Sequence, residues 1–256
     1  MKFLLVTDLH YSDKPVGENN RYHEESLPKL KYILDEIAGG CEFAVCLGDI
    51  ADSFEGYKPI EQGLKEIIDL TKNYDLPFYT TFGNHDTALD KRDFIRITGM
   101  PDRYYSFETE EYLCLVLDTC MNSKDEPYPK KEILWAECYM DDEQLGWMRE
   151  KIENSSKPVV VLTHVLLTAG KTDEVDHILN NADEVQKILL ANEEKIALVC
   201  CGHYHWGMSE KIGSIPALTF KALCTGEAIT CAVVEINGMN ITVKGFGDEE
   251  DRSYER

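Results

Sequence analysis

The stretch Ala197-Leu198-Val199-Cys200-Cys201-Gly202-His203-Tyr204-His205 decides the fold. Its apolar run has the length and composition of a fully buried strand. The run stops on a glycine and two histidines one residue apart, so ligand-type side chains stand at a strand's carboxyl end. That is where a parallel-sheet enzyme gathers its chemistry. Four earlier patches repeat the arrangement in order: Asp8-Leu9-His10, Gly48-Asp49-Ile50-Ala51-Asp52, Gly83-Asn84-His85-Asp86, and His164. They follow the apolar runs Phe3–Thr7, Phe43–Leu47, Phe78–Phe82 and Val159–Thr163. Further strands are predicted at Leu113–Leu117, Ala217–Lys221, Thr230–Ile236 and Asn240–Gly245.

Amphipathic helical patterns separate these runs. Ser26–Ile37 carries Leu27, Leu30, Ile33 and Leu34 on one stripe, with Ser26 as its candidate N-cap. Ile60–Lys72, Asp142–Ile152 and Asp183–Leu190 are the other predicted helices. Strand–helix alternation over the first two hundred residues implies a buried, parallel-type sheet. The last forty residues hold strands and turns only, and Asn237-Gly238 marks a hairpin. They are expected to form a second, antiparallel-rich sheet, the two sheets packing face to face with helices outside. Residues 1–247 are read as one domain, with a cap or insertion at 121–140 that carries Trp135 and Tyr139. The polar tail 248–256 is expected to fray.

The chain has 256 residues and a net charge of −21. Such a surface repels phosphate backbones and argues against broad nucleic-acid or anionic-membrane binding. It does not exclude an anionic substrate, because bound divalent cations can invert the potential of one cleft. Nine cysteines, an odd count without C-x-x-C spacing, point to a reducing, cytoplasmic setting. No apolar run approaches the roughly 20 residues of a membrane span.

The residue types at the five patches are those a pair of divalent metals selects: carboxylate, imidazole and an amide oxygen. Two such ions about 3.5–4 Å apart acidify a bridging water and clamp the charge that develops on a phosphoryl group. They need one ligand that touches both, and Asp49, beside the permissive Gly48, is the candidate. Asp8 and His10, two apart, project to the same side of their strand end, because strand side chains alternate, and can share an ion. His203 and His205 can diverge to different ions from a loop. Asn84 and His164 supply the remaining contacts. His85 then stands beside a ligand without being one, placed to protonate a leaving alkoxide, and Asp52 can hold its tautomer.

With these blocks in place, the chain resembles a calcineurin-like metallophosphoesterase, whose pattern runs D-x-H, G-D-x-x-D, G-N-H-[DE], a lone H after a strand, and G-H-x-H. The resemblance implies a four-layer αββα sandwich of two mixed sheets. It also implies one ion on Asp8, His10, Asp49 and His205, a second on Asp49, Asn84, His164 and His203, and His85 as general acid paired with Asp52. The ions would be manganese or iron, with zinc admissible. The segments Tyr104–Phe107, Leu115–Asp118 and Gln144–Met148 are similar to the branch holding class III cyclic-nucleotide phosphodiesterases and manganese-dependent ADP-ribose/CDP-alcohol pyrophosphatases. Arg21-Tyr22-His23 resembles the second group, whereas His10 stands where that group often has Gln. Ser53 stands where protein phosphatases have Arg-Gly, which speaks against phosphoprotein substrates.

The expected activity is hydrolysis of a small phosphodiester or pyrophosphate, nucleotide-derived, by a hydroxide between the metals with His85 as acid. Arg21, Tyr22 and Tyr204 are the candidate substrate contacts, and Trp206 could also stack on a base. His177 is read as a surface residue. A repair-type nuclease and a catalytically silent protein-binding scaffold are the competing readings, and a homodimer is left open.

Overall fold

The structure is a computed structural model; it describes residues 1–126, Ile133, 138–168 and 177–256. Trp135 and half of the predicted cap lie outside the described residues. The elements in chain order are β1 (Lys2–Val6), α1 (Ser26–Glu36), β2 (Phe43–Cys46), α2 (Ile60–Thr71), β3 (Phe78–Thr80), α3 (Lys91–Thr98), β4 (Tyr105–Glu108), β5 (Leu113–Val116), α4 (Asp142–Asn154), β6 (Val159–Leu162), α5 (Ala182–Leu190), β7 (Ile196–Cys201), β8 (Met208–Ile212), β9 (Ile215–Thr219), β10 (Cys231–Asn237), β11 (Asn240–Phe246) and β12 (Arg252–Tyr254).

They form two six-stranded mixed sheets, ordered β12-β11-β10-β1-β2-β3 and β4-β5-β6-β7-β9-β8. β1, β2 and β3 run parallel, as do β5, β6, β7 and β9. The strands β2, β5, β6 and β7 are buried along their whole length, as parallel strands covered on both faces must be. Helices flank the pair of sheets, α1–α3 packing side by side and α4 against α5. This is the four-layer αββα sandwich. The carboxyl ends of β1, β2 and β3 in one sheet, and of β6 and β7 in the other, carry the five patches.

The strand partition differs from expectation. The C-terminal strands do not build a second sheet; they extend the first. β10 lies antiparallel on the free edge of β1, with Lys2 opposite Glu235 and Leu5 opposite Ala232. The second sheet comes from the middle of the chain. Chain direction alone does not reveal this, because β1 leaves one edge open after pairing β2 and any later strand can fill it. The Asn237-Gly238 hairpin forms as expected, with Asn237 opposite Asn240 and Gly238 at φ 61°.

Two seams close the sandwich. On one side Tyr79 of β3 stacks on Phe107 of β4 with centroids 3.7 Å apart, and the Tyr105 hydroxyl donates to Thr80 O. On the other, the tail does not fray. Arg252–Tyr254 pairs with β11, and Arg252 reaches across to β8 and β9 through Met208 O and Thr219 O while bonding Glu249 Oε1 at 2.7 Å. The tail's polar composition hides this role, since its inward side chains include the ion pair of Glu249 and Arg252. Ser26 is likewise not the cap of α1. It is buried inside the helix, and its hydroxyl donates to Leu9 O. α3 was not predicted. Asp90 caps it through Arg92 N, and Gly99 ends it at φ 77°, but its apolar stripe is narrow. At the base of the 121–140 segment, Tyr139 N donates to Met121 O.

Arg252→Ala leaves the nearly buried Glu249 carboxylate without its cation. The urea midpoint should fall by the equivalent of about 3 kcal/mol. An unchanged midpoint would contradict a structural role for the tail.

Candidate metal centre

All five patches meet at one place. The same oxygen of Asp49, Oδ2, lies 3.4 Å from His10 Nε2 and 3.4 Å from His164 Nε2. His10 follows a strand of the first sheet and His164 a strand of the second, so Asp49 faces both. Its other oxygen, Oδ1, accepts the His85 backbone N–H at 2.8 Å, which fixes the carboxylate's orientation. Two groups of donor atoms close enough to share a cation contain this residue: Asp8, His10 and Asp49, and Asp49, His164 and His203. His205 joins the first side, its Nε2 lying 3.3 Å from Asp8 Oδ1 and 3.2 Å from His10 Nε2. Asn84 joins the second, its Oδ1 lying 3.1 Å from His164 Nε2.

The imidazoles are aimed by the atoms behind them. His164 Nδ1 lies 2.6 Å from Leu47 O, so that nitrogen donates and Nε2 faces Asp49 and Asn84. His10 Nδ1 lies 3.1 Å from Asp52 Oδ2, and His205 Nδ1 lies 3.3 Å from Thr225 Oγ1. Asp52 uses its second oxygen on His85 Nδ1, at 2.8 Å. One carboxylate thus orients both a ligand-type histidine and the candidate acid, a double task that spacing alone did not reveal. His23 completes the wall: its Nδ1 reaches His10 O at 2.8 Å.

Two features show that this arrangement is not an ordinary satisfied core. Asp8 Oδ1 and His203 Nε2 are buried with no hydrogen-bond partner among the described residues. Such orphans cost free energy unless something occupies the space they face. The second feature is backbone strain. Among the described residues, the non-glycine positions with positive φ are Asp8, His10, Asn19, Asn20, Asp49 and His203. Four are members of the cluster and two border the adjoining cleft. Each costs of order 1–3 kcal/mol, and such strain persists where the surroundings impose it. It also corrects the expected reason for the Asp8–His10 pairing: both lie past the end of β1 in left-handed conformations, not on a continuing strand. The donors present, carboxylates, imidazoles and one amide oxygen, fit divalent ions of hard to borderline character.

The glycines explain how the loops approach so closely. Gly48 has φ 95°, and a Cβ there would stand 2.6 Å from Gly83 N and 2.8 Å from His164 Nδ1. A Cβ on Gly83 would collide with Asp49. Asp86 ties the crossing together by accepting from Gly83 N, Asp49 N and Ile50 N at 2.8–3.0 Å. The sequence alone assigns Asp86 no role, although its place right after Asn84-His85 is the available signal.

Burial holds His10 down at about 4 and, with His164 beside it, keeps His203 well below its usual value. Both imidazoles therefore keep a lone pair for a cation at neutral pH. Burial also disfavours the charged form of His164, but the Asp49 carboxylate beside it prevails and raises it to about 10. Burial opposes His85 in the same way, and Asp49 and Asp52 together outweigh it, so its pKa is raised. Burial of Asp52 is overcome by His10 and His85, which hold its carboxyl far below the usual range.

A cleft of about 570 Å³ opens beside the cluster, lined by Asn19, Asn20, Arg21, His177, His203, Tyr204, His205, Trp206 and Thr225. Arg21 and Tyr204 therefore line this cleft. Tyr22 does not: neighbouring side chains of an extended segment point opposite ways, and its ring faces Lys29 Nζ at 5.6 Å. His177, expected at the surface, lines the cleft with its ring 5.0 Å from that of His203. Its polar neighbours in sequence gave no sign of this. Trp206 is 63% exposed. No helix among the described residues is long and apolar enough to cross a membrane.

Comparison with known proteins agrees with this geometry. The human manganese-dependent ADP-ribose/CDP-alcohol diphosphatase is 21% identical over 265 residues, covering 80% of this chain and 77% of that protein. The crystal structure of a dimetal phosphatase from Danio rerio superposes with a TM-score of 0.81 at 16% identity, covering 99% of this chain and 98% of the other. GAP50, described as the anchor in the inner membrane complex of Plasmodium, superposes at 0.63 and 16% identity, covering 99% and 87%. Residues 1–207 match the family model of the calcineurin-like phosphoesterases. The chain belongs to that family and is a metal-dependent phosphoester hydrolase.

Proposed function

We propose that the cluster holds two divalent ions astride Asp49 and hydrolyses a small phosphodiester or pyrophosphate, nucleotide-derived. The observation that carries this reading is the equal 3.4 Å approach of one Asp49 oxygen to imidazoles from both sheets. Asp8, His10, Asp49 and His205 would hold one ion; Asp49, Asn84, His164 and His203 the other. Ions bound there would acidify water and offset the negative charge of a phosphoryl group. Manganese and iron suit the donors, with zinc admissible, and the human relative named above is manganese-dependent.

The chain's own residues supply the rest. As water adds to phosphorus, the bond to the leaving oxygen breaks and that oxygen needs a proton. His85 gives it, while Asp52 keeps the donor ring oriented by accepting from Nδ1. Arg21 offers a cation to a second phosphoryl group in a chain that is otherwise strongly acidic, and Tyr204 offers a face to a base. A repair nuclease fits less well, because the net charge of −21 opposes a long polyanion. A silent scaffold would have no need of the orphaned, strained donors of Asp8 and His203.

Protein stripped by a chelator should lose turnover of bis-p-nitrophenyl phosphate and regain it with manganese; no recovery contradicts the assignment. Asn84→Ala should bring the metal content from about two ions per chain toward one, as a ligand of one site requires. His85→Ala should lower kcat by about 10²–10⁴ while both ions stay bound. A loss of metal in that variant would make His85 a ligand instead.

The pH dependence has a definite sign. Asp52 helps raise the His85 pKa, so the proton-donating form survives to higher pH and disappears as pH climbs through that value. Asp52→Asn should therefore move the alkaline limb of the kcat profile to lower pH. It should also weaken metal at the His10 side, since Asp52 orients that ring too. An unmoved limb would remove Asp52 from the proton-transfer step.

A further inference from the structure

The two halves of the centre differ in more than Asp8 on one side and Asn84 on the other. Besides the groups that include Asp49, two sets are close enough to share a cation: His10, Asp52 and His85, and His10, His205 and Cys224, the donor atoms of each within 4.8 Å of one another. The set around His164 and His203 has no sulfur. Cys224 is fully buried, and its position is tightly fixed. Its backbone N–H donates to Asp8 O at 3.2 Å, Leu223 N donates to Thr7 O at 3.0 Å, and Ala222 N donates to His205 O at 3.1 Å. Lys29, reaching in from α1, clamps the same loop by donating to Leu223 O and to Gly226 O, the latter at 2.7 Å. Next in sequence, Thr225 meets His205 Nδ1. The thiol is therefore held against this half of the centre by backbone geometry. Asp8 Oδ1, on a fully buried residue and without a hydrogen bond, lies 3.3 Å from His205 Nε2 on the same side.

We infer that Cys224 is a sulfur donor to the His10–His205 half, so that this half takes a thiophilic divalent ion, of the zinc, cobalt or cadmium kind, in preference to manganese. The inference rests on the metal-centre reading above and adds an asymmetry to it. A thiolate is a soft ligand and favours softer ions, whereas carboxylate and amide oxygens suit manganese. On binding, the S–H bond breaks, its proton leaves to solvent, and the sulfur electron pair enters the metal–sulfur bond. The centre then carries a softer ion beside Cys224 and a harder one beside Asn84.

Cobalt titration of the metal-free protein tests this without reference to activity. Wild type should develop the near-ultraviolet sulfur-to-cobalt charge-transfer band together with visible d–d bands. Cys224→Ser should keep the d–d bands and lose the charge-transfer band, and Cys41→Ser, a control at a distant, half-buried cysteine, should retain both. In competition, the preference for cadmium over manganese should drop about tenfold or more in Cys224→Ser. A charge-transfer band that persists in Cys224→Ser, or that wild type never shows although d–d bands appear, overturns the role of Cys224 and leaves the dinuclear reading intact. The absence of d–d bands from every variant would sink the metal centre itself, and the cysteine's role with it.

Discussion

Everything in this structure is arranged around a buried carboxylate that two sheets approach from opposite sides. Asp49 is about 1% exposed, and Asp8, Asp52 and Asp86 are buried around it. Several carboxylates removed from water in one small volume are costly unless cations or hydrogen-bond donors compensate. The chain supplies donors to Asp86 and Asp52, from backbone N–H groups and imidazoles. It supplies fewer to Asp8, whose Oδ1 makes no hydrogen bond and has the His205 imidazole 3.3 Å away. The uncompensated part of the charge is what a pair of divalent ions would neutralise.

This constraint accounts for the architecture outside the site. Bringing His10 and His164 to one oxygen requires the carboxyl ends of both sheets to open at the same edge. The Tyr79–Phe107 stack on one seam and Arg252 on the other hold the sheets in that alignment. It requires loops that cross without side chains, hence Gly48 and Gly83. It also imposes left-handed backbone on Asp8, His10, Asp49 and His203, strain that the buried strands behind them are rigid enough to sustain.

The sequence made the parallel strands legible because each is a short, continuous apolar run ended by a polar ligand-type residue. The patches were legible for the same reason, and their order along the chain carried the family resemblance. The C-terminal strands misled because alternation reveals a strand but not which edge it fills, and the open edge of β1 took β10. β12 and α3 escaped because their inward contacts come from Arg252 and a lone Tyr254 in the one and from a stripe reduced to Phe94 and Ile97 in the other. Within the site, the hidden features depend on three-dimensional closure. Asp52 bonding His10 as well as His85, His177 turning into the cleft, and Cys224 arriving beside His205 all join segments far apart in sequence, and no local pattern marks them.

The proposed centre depends on Asp49 being the ligand common to both ions. A crystal structure of the protein grown with excess manganese, with anomalous scattering recorded for the metal, tests that directly. Two anomalous peaks about 3.5–4 Å apart, with an Asp49 oxygen between them, are the predicted result. A single peak, or two peaks with the Asp49 carboxylate bound to neither or only one, would contradict it.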